Sequence, residues 1–179
     1  MSDILPIIGI IVVALIAAVL IMAATKPDIF RVQRSTTVNA PPDKIFPHII
    51  DFHSWPAWSP YERKDPAMKK TFSGAASGKG AIYEWDGDKN VGSGRIEITD
   101  ASPPERVALN LDMLKPFAAH NKVEFTLQPQ GSVTLVTWAM NGHTPYLAKI
   151  LHVFMNMDRM VGGDFATGLA NLKAVAERQ

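Results

Sequence analysis

The chain has 179 residues, a formal net charge of +1, 47% hydrophobic residues and no cysteine. That is length and apolar content for one well-packed domain, and the near-zero charge argues against a disordered tail or a basic nucleic-acid binder. Without cysteine, disulfides, thiolate metal sites and cysteine nucleophiles are all excluded.

The chain opens on an apolar run. Ile4 to Ala24, "ILPIIGIIVVALIAAVLIMAA", carries no charged or strongly polar side chain. As a helix it spans about 31 Å, close to the thickness of a bilayer core. Pro6 falls in its first turn, where a missing N–H is harmless. A cleaved signal peptide wants a basic start and a small-x-small cleavage site. Met1-Ser2-Asp3 has no basic residue and Met22-Ala23-Ala24 is a poor site, so residues 1–25 read as an uncleaved transmembrane anchor, with a cleaved signal peptide and a buried helix of a soluble core as the alternatives. Lys26, Arg31 and Arg34 follow the span and Asp3 precedes it. The positive-inside tendency then places the following domain of a single-pass membrane protein on the cytoplasmic side. Residues 26–29 form a short linker, and residues 30–179 form the domain.

From Phe30 the pattern alternates. Phe30, Val32, Thr36, Val38 and Ala40 share one face, as a half-buried strand requires. "NAPPDKIF" then starts a helix, with Ile45, Phe46, Ile49 and Ile50 at helical spacing and Pro47 as a kink or split. "SWPAWSPY", Ser54 to Tyr61, follows: three large aromatics between prolines, which either plug a core or line a hollow. Six strands are expected next, at Lys69–Ser73, Ala81–Trp85, Gly94–Thr99, Arg106–Leu114, Asn121–Leu127 and Val133–Met140. Short connections rich in Gly, Asp, Asn and Pro suit antiparallel hairpins. A helical pattern from about Pro145 to Glu177 ends the chain, with Leu147, Ile150, Leu151, Phe154, Val161, Phe165, Leu169, Leu172 and Val175 on one stripe and Gly162-Gly163 as a possible bend. One curved antiparallel sheet around a long terminal helix is the economical α+β solution, and a sheet and helix held apart at one end leave a cleft.

Most chemical motifs fail. His48 and His53 are five apart, and His120, His143 and His152 lie on separate elements without a spaced carboxylate, so no metal or other cofactor is expected. No G-x-S-x-G elbow is present. "GAASGKG", Gly74 to Gly80, joins two strands and reads as a hairpin turn. Glu84, Asp86, Arg95, Asp112 and His120 are the ionisable candidates. Alternation sets Glu84 and Asp86 opposite Tyr83 and Trp85, and sets Asp112 opposite the apolar face of its strand, so no catalytic dyad stands out.

Four stretches together carry a resemblance: "FRVQRSTTVNAPPDKIFPHIIDFHSWPAWSPY", "GAIYEWDGDKNVGSGRIEIT", "LKPFAAHNKVEFTLQPQGSVTLVTWAMNG" and "FMNMDRMVGGDFATGLANLKAVAE". In this order the sequence resembles the START-like, helix-grip superfamily also called SRPBCC, in its polyketide cyclase/dehydrase-like branch, over residues 30–179. The resemblance implies a curved sheet gripping the C-terminal helix around a ligand cavity. It implies that the aromatic segment Trp55, Trp58 and Tyr61 runs over one mouth of that cavity. It further implies a wall from Tyr83, Trp85, Val136, Trp138 and Met140, with Phe117, Phe154 and Met155 near the rims. The function so implied is a membrane-anchored domain that binds an apolar small molecule, such as a lipid, an isoprenoid or an aromatic polyketide-like compound. A cyclase/dehydrase-like acid–base enzyme and a ligand-free regulatory or scaffold domain are the alternatives. The partners expected are that ligand and, through residues 4–24, a lipid bilayer, with neither nucleic acid nor metal.

Overall fold

Seven antiparallel strands form one sheet in the order β1-β7-β6-β5-β4-β3-β2 in the computed structural model, which describes residues 4–154 and 156–178. The elements are α1 (Ile4–Ala24), β1 (Ile29–Val38), α2 (Pro42–Ile50), a 3-10 helix (Phe52–Ala57), α3 (Pro60–Lys64), β2 (Lys69–Gly74), β3 (Ala81–Asp86), β4 (Ser93–Ser102), β5 (Arg106–Lys115), β6 (Ala119–Gln130), β7 (Val133–His143), α4 (Tyr146–Phe154) and α5 (Met157–Ala176). From β2 to β7 each strand pairs with the next through a hairpin, and β1 closes the sheet against β7 from Ile29↔His143 to Val38↔Thr134. The "GAASGKG" segment is the β2–β3 connection, where Gly74, Gly78 and Gly80 take the positive φ that a tight reversal needs.

Period-two patterning makes one face of this sheet a core. Val136, Trp138 and Met140 on β7, and Val123, Phe125 and Leu127 on β6, are buried on it. Two register shifts between β4 and β5, at Ser93/Gly94 and Ile98/Asp100, interrupt the ladder and add local bend and twist. α5 lies in the concavity and buries Phe165, Leu169 and Leu172 against it. The fold is therefore the helix-grip α+β arrangement expected from the sequence, with one apolar N-terminal helix added.

The terminal helix departs from the expected single element. It breaks at Asn156, whose side chain accepts the Arg159 N–H at 2.9 Å and caps α5. The cap outcompetes continuation because it satisfies a donor that a helix start leaves open. Gly162 and Gly163, expected to bend the helix, lie inside an unbroken α5. The stripe divides accordingly: Phe165, Leu169 and Leu172 enter the core, whereas Leu147, Leu151 and Phe154 on α4 remain exposed.

α1 stands apart from the grip, and almost all its side chains from Ile7 onward are exposed. It is thus not a buried helix of a soluble core. Its length and composition make it a candidate membrane span or signal sequence. α4 packs against its end: the Tyr146 hydroxyl donates to the Leu20 carbonyl at 2.9 Å, and Ala23 is fully buried. Lys149 Nζ donates to Asp28 Oδ1 at 2.5 Å, and the Thr144 N–H donates to the Asp28 carbonyl at 2.7 Å.

Candidate functional site

The aromatic segment acquires its shape from α2. That helix ends with carbonyls lacking intrahelical donors. The Trp55 indole N–H donates to the Ile49 carbonyl at 3.0 Å, and the Trp58 indole N–H donates to the His48 carbonyl at 2.8 Å. Both tryptophans are therefore tied by their polar edges to the end of α2, and their rings point into the concavity. Pro56 sits within the 3-10 turn, whose N-terminus is capped by Asp51 accepting the His53 N–H.

Between sheet and α5 the rings meet one another. Trp58, with 0% exposure, stands edge-on to Phe125 at 5.9 Å and to Trp138 at 5.6 Å. Trp138 lies 4.9 Å from Phe125 and stacks on Phe165 of α5 at 4.0 Å, with planes 10° apart. Gly168 permits this approach, since a Cβ there would come within 2.7 Å of the Trp138 ring. The Trp138 indole nitrogen is buried and has no hydrogen-bond partner among the described residues. A buried N–H left in that condition costs roughly 1–3 kcal/mol.

A polar cluster lies beside this layer. The Tyr83 hydroxyl donates to Glu62 Oε1 at 2.8 Å, and Lys70 Nζ donates to Glu62 Oε2. Glu62 and Tyr83 are both buried. Burial first, then the Glu62 carboxyl, pushes the Tyr83 phenol far up, so it serves as a hydrogen-bond donor and not as a base. Tyr61 is raised by burial and by Asp164. Asp164 in turn holds Lys64 at 2.7 Å, which ties α3 to α5.

The sequence candidates thus separate by place. Trp55, Trp58, Tyr83, Val136, Trp138 and Met140 are buried together on the concave side, with Tyr61 and Trp85 half-buried against them. Trp85 lies over Gly94, where a Cβ would meet its ring at 2.7 Å, and donates to the Val91 carbonyl at 3.2 Å. Phe117, in the β5–β6 hairpin, and Phe154, at the end of α4, are exposed. Met155 lies outside the described residues. The acids Glu84 and Asp86 point outward, and Asp112 pairs with His120 at 2.7 Å where the imidazole is open to water. Two depressions, of about 320 and 480 Å³, lie outside the ring layer of Trp58, Phe125, Trp138 and Phe165. The first has a mostly polar lining that includes Arg31, Gln33, Glu124 and Thr137; the second takes in Glu84, Asp86 and Trp85. Among the described residues no three His, Asp or Glu side chains are grouped to hold a metal.

Glu62 and Arg34 escape sequence reasoning. Lys70 shares its strand face with Phe72, and an inward lysine calls for an acid, a signal that leaves the partner unnamed. Arg34 has the parity of Val32 and Thr36 and so faces inward. It bridges to Asp158 at the start of α5, with Nη1 and Nη2 each 2.9 Å from a carboxylate oxygen.

A curved sheet that grips a helix over an aromatic layer defines a domain for hydrophobic ligands or polyketide cyclase-like chemistry. The chain belongs to the family described as "Polyketide cyclase / dehydrase and lipid transport", which matches residues 30–177. Solved structures agree in fold. Protein MLL2253 from Mesorhizobium loti superimposes with a TM-score of 0.60 at 17% identity, covering 84% of this chain and 98% of that one. Protein CV1439 from Chromobacterium violaceum gives 0.59 at 15% identity, covering 85% and 99%. The Aha1 dimer structure from Colwellia psychrerythraea gives 0.55 at 16% identity, covering 83% and 96%. No curated protein matches the sequence.

Proposed function

We propose that this protein is a membrane-anchored carrier or receptor for an apolar small molecule with at least one hydrogen-bond acceptor. The observation that carries the reading is the ring layer of Trp58, Phe125, Trp138 and Phe165, with the unpartnered Trp138 N–H inside it. Aromatic rings offer large rigid contact area. A ligand carbonyl or hydroxyl oxygen accepting from Trp138 would satisfy that donor. Lipids, isoprenoids and aromatic polyketide-like compounds meet both requirements. The site is Trp55, Trp58, Tyr61, Tyr83, Trp85, Val136, Trp138 and Met140, entered by displacement of rings that pack on each other. α1 tethers the domain to the bilayer in which such molecules dissolve, and Lys26 and Arg31 after the span favour the cytoplasmic side. Asp28, the nearby acid, is already held by Lys149.

The test is mass spectrometry of organic extracts from the purified full-length protein and a Trp138→Phe variant. A single apolar compound, stoichiometric in the parent and depleted in the variant, supports the reading. Equal recovery from both would remove Trp138 from the site, and the absence of any compound from the parent, with no response to a lipid panel, would end the carrier reading.

Glu62 and Tyr83 favour a second reading as a cyclase- or dehydrase-like enzyme. Tyr83 could donate to a substrate carbonyl while the Glu62 carboxylate takes a proton from the adjacent carbon. Turnover unchanged in Glu62→Gln and Tyr83→Phe would dismiss it.

A further inference from the structure

Strand register puts the β5–β6 hairpin at the same end of the sheet as the start of β1 and the end of β7. Ile29 pairs with His143, Asn121 with Gly142 and Leu111, and Ala119 with Met113, so the end of β5 and the turn at 116–118 lie at the end of the sheet where α1 and α4 attach. Large apolar side chains are exposed on these elements. Leu147 is 74%, Phe154 73% and Phe117 69% exposed, and Ile29, Leu114 and Leu151 are also open. The opposite end of the sheet, at the β6–β7 turn, presents Gln130, Gly131 and Ser132.

α4 is oriented by its contact with α1. Between Ile7 and Ala24 only Val19 and Ala23 lose exposure, so α4 crosses the last turns of α1 and does not run along its length. The Tyr146 hydroxyl meets the Leu20 carbonyl. Leu20 is four residues from the end of α1, hence about 6 Å inside it, which is the depth at which interfacial helices lie. Leu147, Leu151 and Phe154 recur at i, i+4 and i+7, one stripe of α4. Tyrosine at this depth is the common side chain of a membrane interface.

We infer that α4 and the β5–β6 hairpin form a platform resting in the interface of the bilayer that α1 crosses, with Leu147, Leu151, Phe154, Leu114 and Phe117 immersed among the lipids. This rests on the reading of α1 as a membrane anchor. The occupant of the apolar surface is lipid because the surface is continuous with the most apolar segment of the chain and lies at its end. It explains why Phe117 and Phe154 lie outside the ring layer while remaining apolar. The platform holds one end of the grip against the membrane, so that a molecule leaving the lipid phase meets the domain without crossing water.

The absence of cysteine allows a direct test. Single Leu147→Cys, Phe154→Cys and Phe117→Cys variants of the full-length protein would be labelled with a polarity-sensitive fluorophore. They would be reconstituted in phosphatidylcholine vesicles carrying nitroxide-labelled acyl chains. Val13→Cys reports the anchor and Ser132→Cys reports water. All five positions are exposed, and unchanged melting profiles before labelling confirm intact folds. The inference expects blue-shifted, quenched emission at 147, 154 and 117, deep quenching at 13 and none at 132. Quenching at 13 with water-like emission at the three platform sites overturns the platform and leaves the anchor standing. Quenching at the platform with none at 13 supports the contact and overturns the anchor. Water-like emission everywhere overturns both.

Discussion

At the residue scale, the ring layer depends on small residues as much as on aromatic ones. Gly168 faces the Trp138 ring and the Pro60 ring, and a Cβ there would come within 2.7 and 3.0 Å of them. Neither is a flexible chain end. Gly168→Ala therefore expels Trp138 or shifts α5, at an overpacking cost of roughly 1–3 kcal/mol. Helix propensity recovers at most about 1 kcal/mol of that. The expected result is a lower thermal midpoint together with a changed tryptophan emission spectrum; a midpoint at or above the parent's would show that the layer has room. His48 supplies a pH effect. Burial lowers its pKa from the usual value near 6.5, and its Nε2 is buried without a hydrogen-bond partner among the described residues. The unfolded chain then binds the proton first as pH falls below about 6.5, so stability declines from there down to the lowered folded value. Chemical denaturation at pH 7 and pH 5.5 should show this loss in the parent and a smaller one in His48→Leu. An equal loss would assign the effect elsewhere.

At the element scale, α5 is held at its start by Arg34 and at its end by Lys173, which donates to the Thr37 carbonyl at 2.7 Å. The Arg34 guanidinium crosses α5 at Gly162, where a Cβ would stand 2.1 Å from Nη2. Gly162→Ala displaces it and releases Asp158, so amide exchange over the first turns of α5 should accelerate while the centre of the helix stays protected. Asp158 is lowered chiefly by its hydrogen bonds to Arg34. The contribution of this pair is present above the ordinary aspartate range near 3.9 and is lost as pH falls through the lowered value. Exchange in the variant should accordingly match that of the parent at acid pH; a persistent difference there would mean that backbone strain, not the ion pair, is responsible. These elements also mark what the sequence could convey. Alternation on β7 puts Trp138 on one face with Val136 and Met140, because period two is a local property, and the family resemblance implied that this face looks inward. The indole bonds to the end of α2 were not legible because they depend on the backbone path of the turn that follows, and the Glu62–Tyr83–Lys70 cluster was not because it joins α3, β2 and β3 only in the completed fold. The break at Asn156 was masked for a different reason: the apolar stripe continues across it, although α4 leaves Leu147, Leu151 and Phe154 exposed and α5 turns Phe165, Leu169 and Leu172 toward the sheet.

At the scale of the whole molecule, stability and occupancy are coupled. The rings of the concave layer pack on each other and leave the Trp138 N–H without a partner among the described residues. A ligand that inserts must separate these rings, replace their contacts and supply an acceptor. A molecule that does all three gives the largest stabilisation. Binding to the folded state alone at a hundred times Kd contributes about 2.7 kcal/mol. A domain of this size gains roughly 2–4 °C of midpoint for each kcal/mol, so a saturating ligand should raise Tm by roughly 5–10 °C. The measurement is a thermal scan of the full-length protein in detergent against apolar compounds matched in size, with and without a carbonyl or hydroxyl. Acceptor-bearing compounds should raise Tm more than their hydrocarbon counterparts in the parent. In Trp138→Phe, which keeps the ring and removes the N–H, that margin should vanish while any shift from the hydrocarbon persists. A margin that survives the substitution would assign recognition of the acceptor to another donor, with the Tyr83 hydroxyl the next to replace.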